Sequence, residues 1–410
     1  MDYPKMTILL LNDNSYINNF GCQATMSSLI RMVANAAPEQ KLITVEQRDL
    51  AKDYYQEIPP AKPSLRQLKK YVKRAKNTPR IAEYFPKTAN DFQRYGEMWQ
   101  RGDARDASEF LLPLLSQSDL VIHNAELLNY KTNKISLRGA FLLWYAKTYL
   151  NKKVALINQT TPAPGSDLVM EGILEYLCPY LDLVTAREPR SNQLLQSLGF
   201  ESQLVPDPVF SISPDLSKQD QIQDWLTAHT IKSPYICLSF ISVLASNMNQ
   251  NHSLHLFTTV ISAIQEKGFQ VILMDAGSGS LRKINQTLKE ITGAFVFDGN
   301  YTEFWSLLKS SSALVSGHYH NIIMAAQVGC PFVPMRSVSH KVESLCELLD
   351  WKITPLNPTC LELSIEKMLE GIDITQNQSS ELSEYLLNRT QQLQSESRLT
   401  ESLLAHVMKP

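Results

Sequence analysis

Short apolar runs recur along this chain, each closed by polar or turn-forming residues. In the first half they predict strands at Thr7–Leu11, Leu42–Glu46, Leu120–Asn124, Val154–Asn158, Leu183–Ala186 and Gln203–Val205. Between them, apolar residues spaced at helical intervals predict helices at Gln23–Asn35, Ala107–Leu115, Arg138–Leu150, Leu168–Leu177 and Pro189–Leu198. Pro189 suits a first helical turn and Gly199 a C-terminal cap. After a stretch from Pro206 to Ser233, read as a linker with one short helix, the alternation resumes. Its strands are Tyr235–Phe240, Gln270–Met274, Ala294–Phe297, Ala313–Val315 and Phe332–Met335, with helices at Leu254–Lys267, Leu281–Ile291, Thr302–Ser310 and Lys341–Leu349.

Repeated strand–helix–strand units with short loops imply a parallel sheet covered on both faces. Two such series in tandem predict an α/β protein of two Rossmann-like, doubly wound domains facing a cleft. The expected divisions are 1–210, with a basic, aromatic-rich helical insertion at about 58–105, then 211–375. A tail, 376–410, contains one polar helix over about Ser380 to His406 with Leu382, Leu386, Leu393 and Leu399, expected to pack back across a domain.

Composition narrows the function classes. The chain has 410 residues, 44% hydrophobic and 20% charged, with a formal net charge of −2. No strong global field points to nucleic acid. Cys22, Cys178, Cys237, Cys330, Cys346 and Cys360 are scattered and form no C-x-x-C pair. They read as reduced thiols of a cytoplasmic protein rather than zinc or redox ligands. His252 and His255 lie three apart with no third ligand nearby in sequence, so no metal is expected. No signal peptide and no membrane-spanning run is expected. The glycine pattern of dinucleotide binders does not follow the first strand, so no cofactor is expected.

Candidate chemistry collects where strands hand over to helices, the usual ligand position in open parallel sheets. The densest stretch is Ser316-Gly317-His318-Tyr319-His320, followed by a helix that stops at Gly329 and then by Arg336, His340 and Lys341. Imidazoles at a strand–helix junction point to proton transfer on an anionic substrate. Arg187, after the strand Leu183–Ala186, is placed to grip a carboxylate or phosphate. Asn124 and Glu126 end the third strand, and Asp13, Asn14 and Asn19 follow the first; either set fits sugar hydroxyls, and both also fit ordinary loops. Asp275–Ser280 is a glycine-containing loop that reads first as a plain turn and otherwise as a phosphate cradle. The stretch Leu65–Lys76 carries Arg66, Lys69, Lys70, Lys73, Arg74 and Lys76. It reads as a solvated surface helix or as a contact with anionic membrane.

In combination and order these segments resemble the polysaccharide pyruvyl transferase family. That family has Asn-Gly-Glu-Gly at a strand end, Val-Thr-x-Arg-Glu-x-x-Ser, Asp-Pro-x-Phe, Ser-Gly-Arg-x-His and a late Thr-His-Lys. The matching segments here are Asn124-Ala125-Glu126-Leu127, Val184-Thr185-Ala186-Arg187-Glu188-Pro189-Arg190-Ser191, Asp207-Pro208-Val209-Phe210, Ser316-Gly317-His318-Tyr319-His320 and Ser339-His340-Lys341. The resemblance implies a GT-B arrangement of the two domains, with the acceptor on the first and the donor on the second. It implies phosphoenolpyruvate as donor and a sugar of a cell-surface glycan, or its lipid-linked precursor, as acceptor.

It further implies that His320, with His318, is catalytic. Arg187, Gly317, His340, Lys341 and Arg336 would hold the donor, and Asp13, Asn14, Asn19, Asn124 and Glu126 the acceptor. Cytoplasmic work, peripheral at the inner face of the plasma membrane through Leu65–Lys76, follows from the same picture. A GT-B glycosyltransferase using a nucleotide sugar, and a non-catalytic homologue, are the alternatives. The chain departs from the family at three points. His318 stands where the family has arginine, and Ala125 and Leu127 replace glycines. Exchanging a fixed guanidinium for a mostly neutral imidazole typically removes ~1.5–3 kcal/mol from a bond to an oxyanion.

Overall fold

The computed structural model describes residues 6–17, 19–51, 85–124, 134–240, 250–274, 279–337, 339–357 and 361–409. Most of the expected insertion, the Leu65–Lys76 stretch, Glu126, and Asp275 to Ser278 lie outside the described residues.

Two parallel sheets form. The first has six strands, β1 (Thr7–Asp13), β2 (Lys41–Glu46), β3 (Leu120–Asn124), β4 (Lys153–Gln159), β5 (Leu183–Ala186) and β6 (Ser202–Leu204), in the order β2-β1-β3-β4-β5-β6. The second has five, β7 (Tyr235–Ser239), β8 (Gln270–Met274), β9 (Phe295–Phe297), β10 (Ala313–Ser316) and β11 (Phe332–Pro334), in the order β11-β10-β7-β8-β9. Every expected strand forms, within two residues of its expected bounds. Central strands are buried on both faces, so they read as continuous apolar runs, and such runs are hard to miss.

Strand order reverses between β1 and β3 and again between β7 and β10. These switch points leave a crevice at the strands' carboxyl ends, because the flanking crossovers leave on opposite faces. Helix α1 (Phe20–Ala36) leaves the first sheet beside its switch point. Its N-cap is Asn19, whose side chain accepts from the Cys22 N–H, 3.2 Å away. A helix over Tyr319–Gln327, here α2, leaves the second sheet after His318. Gly329 at φ 71° ends that segment as expected.

Between the sheets the chain crosses through Asp207, which caps a 3-10 turn at Pro208–Ser211 by accepting from the Val209 N–H, 2.9 Å away. The turn is pinned to the second sheet's helices. Gln327, at the end of α2, donates to the carbonyls of Val209 and Ile212, both at 2.9 Å.

The C-terminal segment differs from expectation. The residues expected as one helix form two, Ser379–Ser397 and Leu399–Val407, meeting at Arg398. Leu382, Leu386 and Leu393 join the second lobe's core, whereas Leu404 and Val407 pack with Ile8, Leu10 and Ile122 of the first sheet. Leu399 sits at the break and is 49% exposed, because a straight helix could not serve both surfaces. An earlier helix, Leu361–Asn377, was not anticipated. No described helix is long and apolar enough to cross a membrane.

Candidate active site

The carboxyl edge of the first sheet is lined with amides. Asn12, at φ 70°, donates from Nδ2 to the Asn124 carbonyl at 2.9 Å, and Asn158, at φ 56°, donates to Asn124 Oδ1 at 3.3 Å. Left-handed backbone is a conformation that asparagine tolerates better than most residues. Asp13 is buried and accepts from the Ser15 N–H at 2.9 Å, while the carbonyl of Asn14 accepts from the Ile17 N–H at 3.0 Å. Asn124 is fully buried and also lies 3.1 Å from Met26 Sδ. The expected acceptor residues Asp13, Asn14 and Asn124 therefore share one edge, with Asn19 at the start of α1.

The edge of the second sheet faces them. Gly317 is buried in the turn out of β10, and His318 caps α2. His320, in the first turn of α2, is 18% exposed at its side chain and reaches across to the first lobe. Its Nε2 lies 3.1 Å from Thr25 Oγ1 on α1 and 3.4 Å from Asp207 Oδ2. Its Nδ1 side rests on Gly21: a Cβ built there would stand 2.0 Å from Nδ1. Only a residue without a side chain allows this approach.

Arg187 is placed differently from the expectation of a guanidinium open to ligand. It is 1% exposed, donating from Nη1 to Asp207 Oδ2 at 3.0 Å and from Nε to Thr160 Oγ1 at 2.7 Å, with its Cζ 4.6 Å from the Tyr319 ring centroid. A buried acid faces it because a desolvated cation is stable only when paired. The network continues from Thr160 to Glu188, and from Glu188 to Ser191, which lies 3.2 Å from His340 Nε2. One buried polar chain thus joins His340 to His320 through Ser191, Glu188, Thr160, Arg187 and Asp207, crossing both lobes. Lys341 begins a helix over Lys341–Leu348 and is half-buried. Arg336 stands apart, exposed and 3.5 Å from Glu343.

Charge states follow from this packing. Burial alone would raise the Asp207 carboxyl, but His320 and Arg187 outweigh it and hold it down at about 2. Burial raises Glu188 to about 7 against the pull of Arg187. Burial also lowers His340, and lowers His123, enclosed in β3, to about 3. His318 is lowered to about 4, by burial first and then by Lys341 and His320.

These shifts set a pH dependence. Histidines whose folded values lie below the unfolded ~6.5 stabilise the fold above ~6.5 and lose that contribution as pH falls towards their folded values. Glu188, raised above the unfolded ~4.3, has the opposite sign: its contribution is full below ~4.3 and lost as pH rises through about 7. Glu188 therefore offsets the histidines on acidification. Glu188→Gln should lose more stability than the parent between pH 7.5 and 4.5, measured by urea midpoints; parallel curves would show that Glu188 titrates normally.

Asp207, Glu188 and Ser191 were quoted in sequence motifs without a role. Asp207 could have been singled out as an acid between prolines in an apolar stretch. Thr25 and Gly21 carried no local signal, since Thr25 meets a residue 295 positions away. Among the described residues no group of His, Cys, Asp and Glu could hold a metal ion.

A family model described as polysaccharide pyruvyl transferase matches residues 19–339. Among curated proteins no match is found. Solved structures of similar fold include a UDP-GlcNAc 2-epimerase from Methanocaldococcus jannaschii in complex with UDP-GlcNAc and UDP. It is 13% identical, with a TM-score of 0.54, covering 91% of this chain and 93% of that one. The trehalose-6-phosphate synthase OtsA is 10% identical, with a TM-score of 0.59 and 99% of each chain covered. A Neisseria meningitidis UDP-GlcNAc 2-epimerase bound to UDP-GlcNAc is 10% identical, with a TM-score of 0.52 and 99% of each chain covered. At such identities the likeness speaks for the fold alone, which is GT-B.

Proposed function

The chain belongs to the polysaccharide pyruvyl transferase family, and from that membership we propose that it moves a pyruvyl group from phosphoenolpyruvate onto two hydroxyls of a sugar, as a ketal. The acceptor is a cell-surface glycan or its lipid-linked precursor. The observation that carries this reading is His320: a half-sheltered imidazole from one lobe, backed by a buried carboxylate and resting on the first turn of a helix of the other.

In the reaction, Asp207 and Thr25 position the ring through Nε2, and His320 gives the proton for transfer. That proton goes to the methylene carbon of the enol, whose π electrons form the new C–H bond. The central carbon becomes electron-poor, with density drawn from its bridging oxygen. One sugar hydroxyl adds there, and its proton returns to the imidazole. The bond to the bridging oxygen then breaks, and phosphate leaves with the proton of the second hydroxyl as that hydroxyl closes the ketal.

Lys341 and His340 hold the anionic groups of the donor, with Gly317 allowing close backbone approach and Arg336 at the rim. Arg187 acts by fixing Asp207 rather than by touching donor. Asp13, Asn14, Asn19 and Glu126 meet the sugar, while Asn124, fully buried, orients Asn12 and Asn158 behind them rather than touching it. We place the work on the cytoplasmic side of a membrane, where the basic Leu65–Lys76 stretch would meet anionic headgroups beside a lipid-linked acceptor.

Phosphoenolpyruvate should raise the melting temperature, by the equivalent of ~2.7 kcal/mol at a hundredfold excess over Kd, and nucleotide sugars should not. The reverse result would make the protein a glycosyltransferase. His320→Ala should abolish release of phosphate while the fold survives on the remaining Asp207–Arg187 pair; retained turnover would remove His320 as the acid.

A further inference from the structure

Two consecutive residues follow β5, and each holds one histidine of the other lobe through one further side chain. Arg187 pairs with Asp207, which meets His320. Glu188 pairs with Ser191, which meets His340. Ser191 stands in the first turn of the helix Pro189–Ser197 and is fully buried. Its Oγ accepts from the Thr161 N–H at 2.8 Å and lies 3.2 Å from Thr161 Oγ1. Glu188 is fully buried too, with Oε2 3.3 Å from Thr160 Oγ1. Groups of the first lobe therefore fix the Ser191 hydroxyl before His340 reaches it. From the second lobe His340 Nε2 comes to 3.2 Å from that hydroxyl, and its side chain is 8% exposed. The backbone of His340 is tied to the same helix. Its carbonyl accepts from the Ser344 N–H at 2.9 Å, and Ser344 Oγ accepts from the Arg190 N–H at 3.0 Å. Arg190 Nε also donates to Glu347 Oε1 at 2.9 Å.

We propose that Ser191 is a positioning residue: held by Glu188 and the Thr161 N–H, it fixes the His340 ring from across the lobes and so sets where that ring meets the donor. Either partner can give the proton in the Ser191–His340 bond, and in both cases the ring is held. With Nε2 engaged, Nδ1 is the ring nitrogen left to a ligand. Side chains that meet a ligand in one geometry are locked by the groups packed behind them, to within ~0.5 Å. Here the group behind His340 belongs to the opposite lobe, so the donor side is complete only when the lobes are together. The two histidines are then fixed by neighbouring residues of one strand end, His320 through Arg187 and Asp207 and His340 through Glu188 and Ser191.

The inference rests on the proposed donor-binding role of His340 for its effect on turnover, while the hold on the ring belongs to the free protein. The test accordingly has two arms. In ligand-free protein, diethyl pyrocarbonate labels accessible imidazoles, and peptide mass spectrometry reads the rate at each histidine. Ser191→Ala should raise the rate at His340 about tenfold and leave His318 and His320 unchanged. No change at His340, or an equal rise at all three, overturns the proposal, since the second outcome means only that the lobes have come apart. In the second arm phosphoenolpyruvate is the substrate. Ser191→Ala should raise KM about tenfold at unchanged kcat, and adding it to His340→Ala should cost nothing further, because both remove one contact. Fully additive losses, or a fall in kcat without a rise in KM, overturn it too. Should Ser191→Ala fail to fold, Ser191→Cys fills the same space with a weaker hydrogen-bonding group and carries the same expectations. Should the parent protein ignore phosphoenolpyruvate, the function fails and the labelling rates still judge Ser191.

Discussion

Arg187→Ala is expected to destabilise the fold by about 3–5 kcal/mol, more than most single truncations. The truncation strands Asp207, which is 0% exposed and held ionised largely by His320 and Arg187. It also removes the donor to Thr160 and the cation stacked on Tyr319. The cost comes mainly from an unpaired buried carboxylate, so Asp207→Asn should recover part of it in the double variant. The measurement is urea unfolding with an unchanged slope. A loss below ~1 kcal/mol would show that this pair is not what anchors the crossing between the lobes. Arg187→Lys separates charge from shape: it keeps a cation but cannot serve Thr160 and Asp207 together.

Gly21→Ala is expected to lower turnover about 10²-fold and to cost about 1–3 kcal/mol of stability. An added methyl would meet His320 at 2.0 Å from Nδ1 and 2.5 Å from Cγ, so the imidazole must leave its place between Thr25 and Asp207. A displacement of about 1 Å in a reacting group is enough for a loss of that order. Gly21 is in the first turn of a helix, where the backbone tolerates alanine well, so the cost comes from the contact with His320, whose Cβ would stand 2.9 Å from the added methyl. Normal turnover in Gly21→Ala would mean that His320 works from another position, and that its contact with α1 is incidental.

Much of the architecture was legible because burial on both faces of a parallel strand leaves a local mark. Runs such as Leu120–Asn124 and Tyr235–Ser239 need no distant partner to be recognised. The C-terminal helix was misread for the complementary reason. Leucines at helical spacing reveal an apolar face, but not that Leu393 and Leu404 face different lobes and require a break at Arg398. The chemistry-bearing residues were visible by type and by their position at strand ends, while their orientation was not. Arg187 reads as a ligand-gripping arginine until Asp207 and Thr160 are seen to enclose it.

The sequence by itself determined the alternation of strands and helices, the two tandem sheets and the gathering of histidines at one junction. These depend on interactions within a few residues and on patterns of burial that repeat. Tertiary structure alone decided which nitrogen of His320 meets the carboxylate and why residue 21 must lack a side chain. Hydrogen bonds and ion pairs are satisfied by whatever the fold brings near, and the hydroxyl that meets His320 lies 295 positions away along the chain.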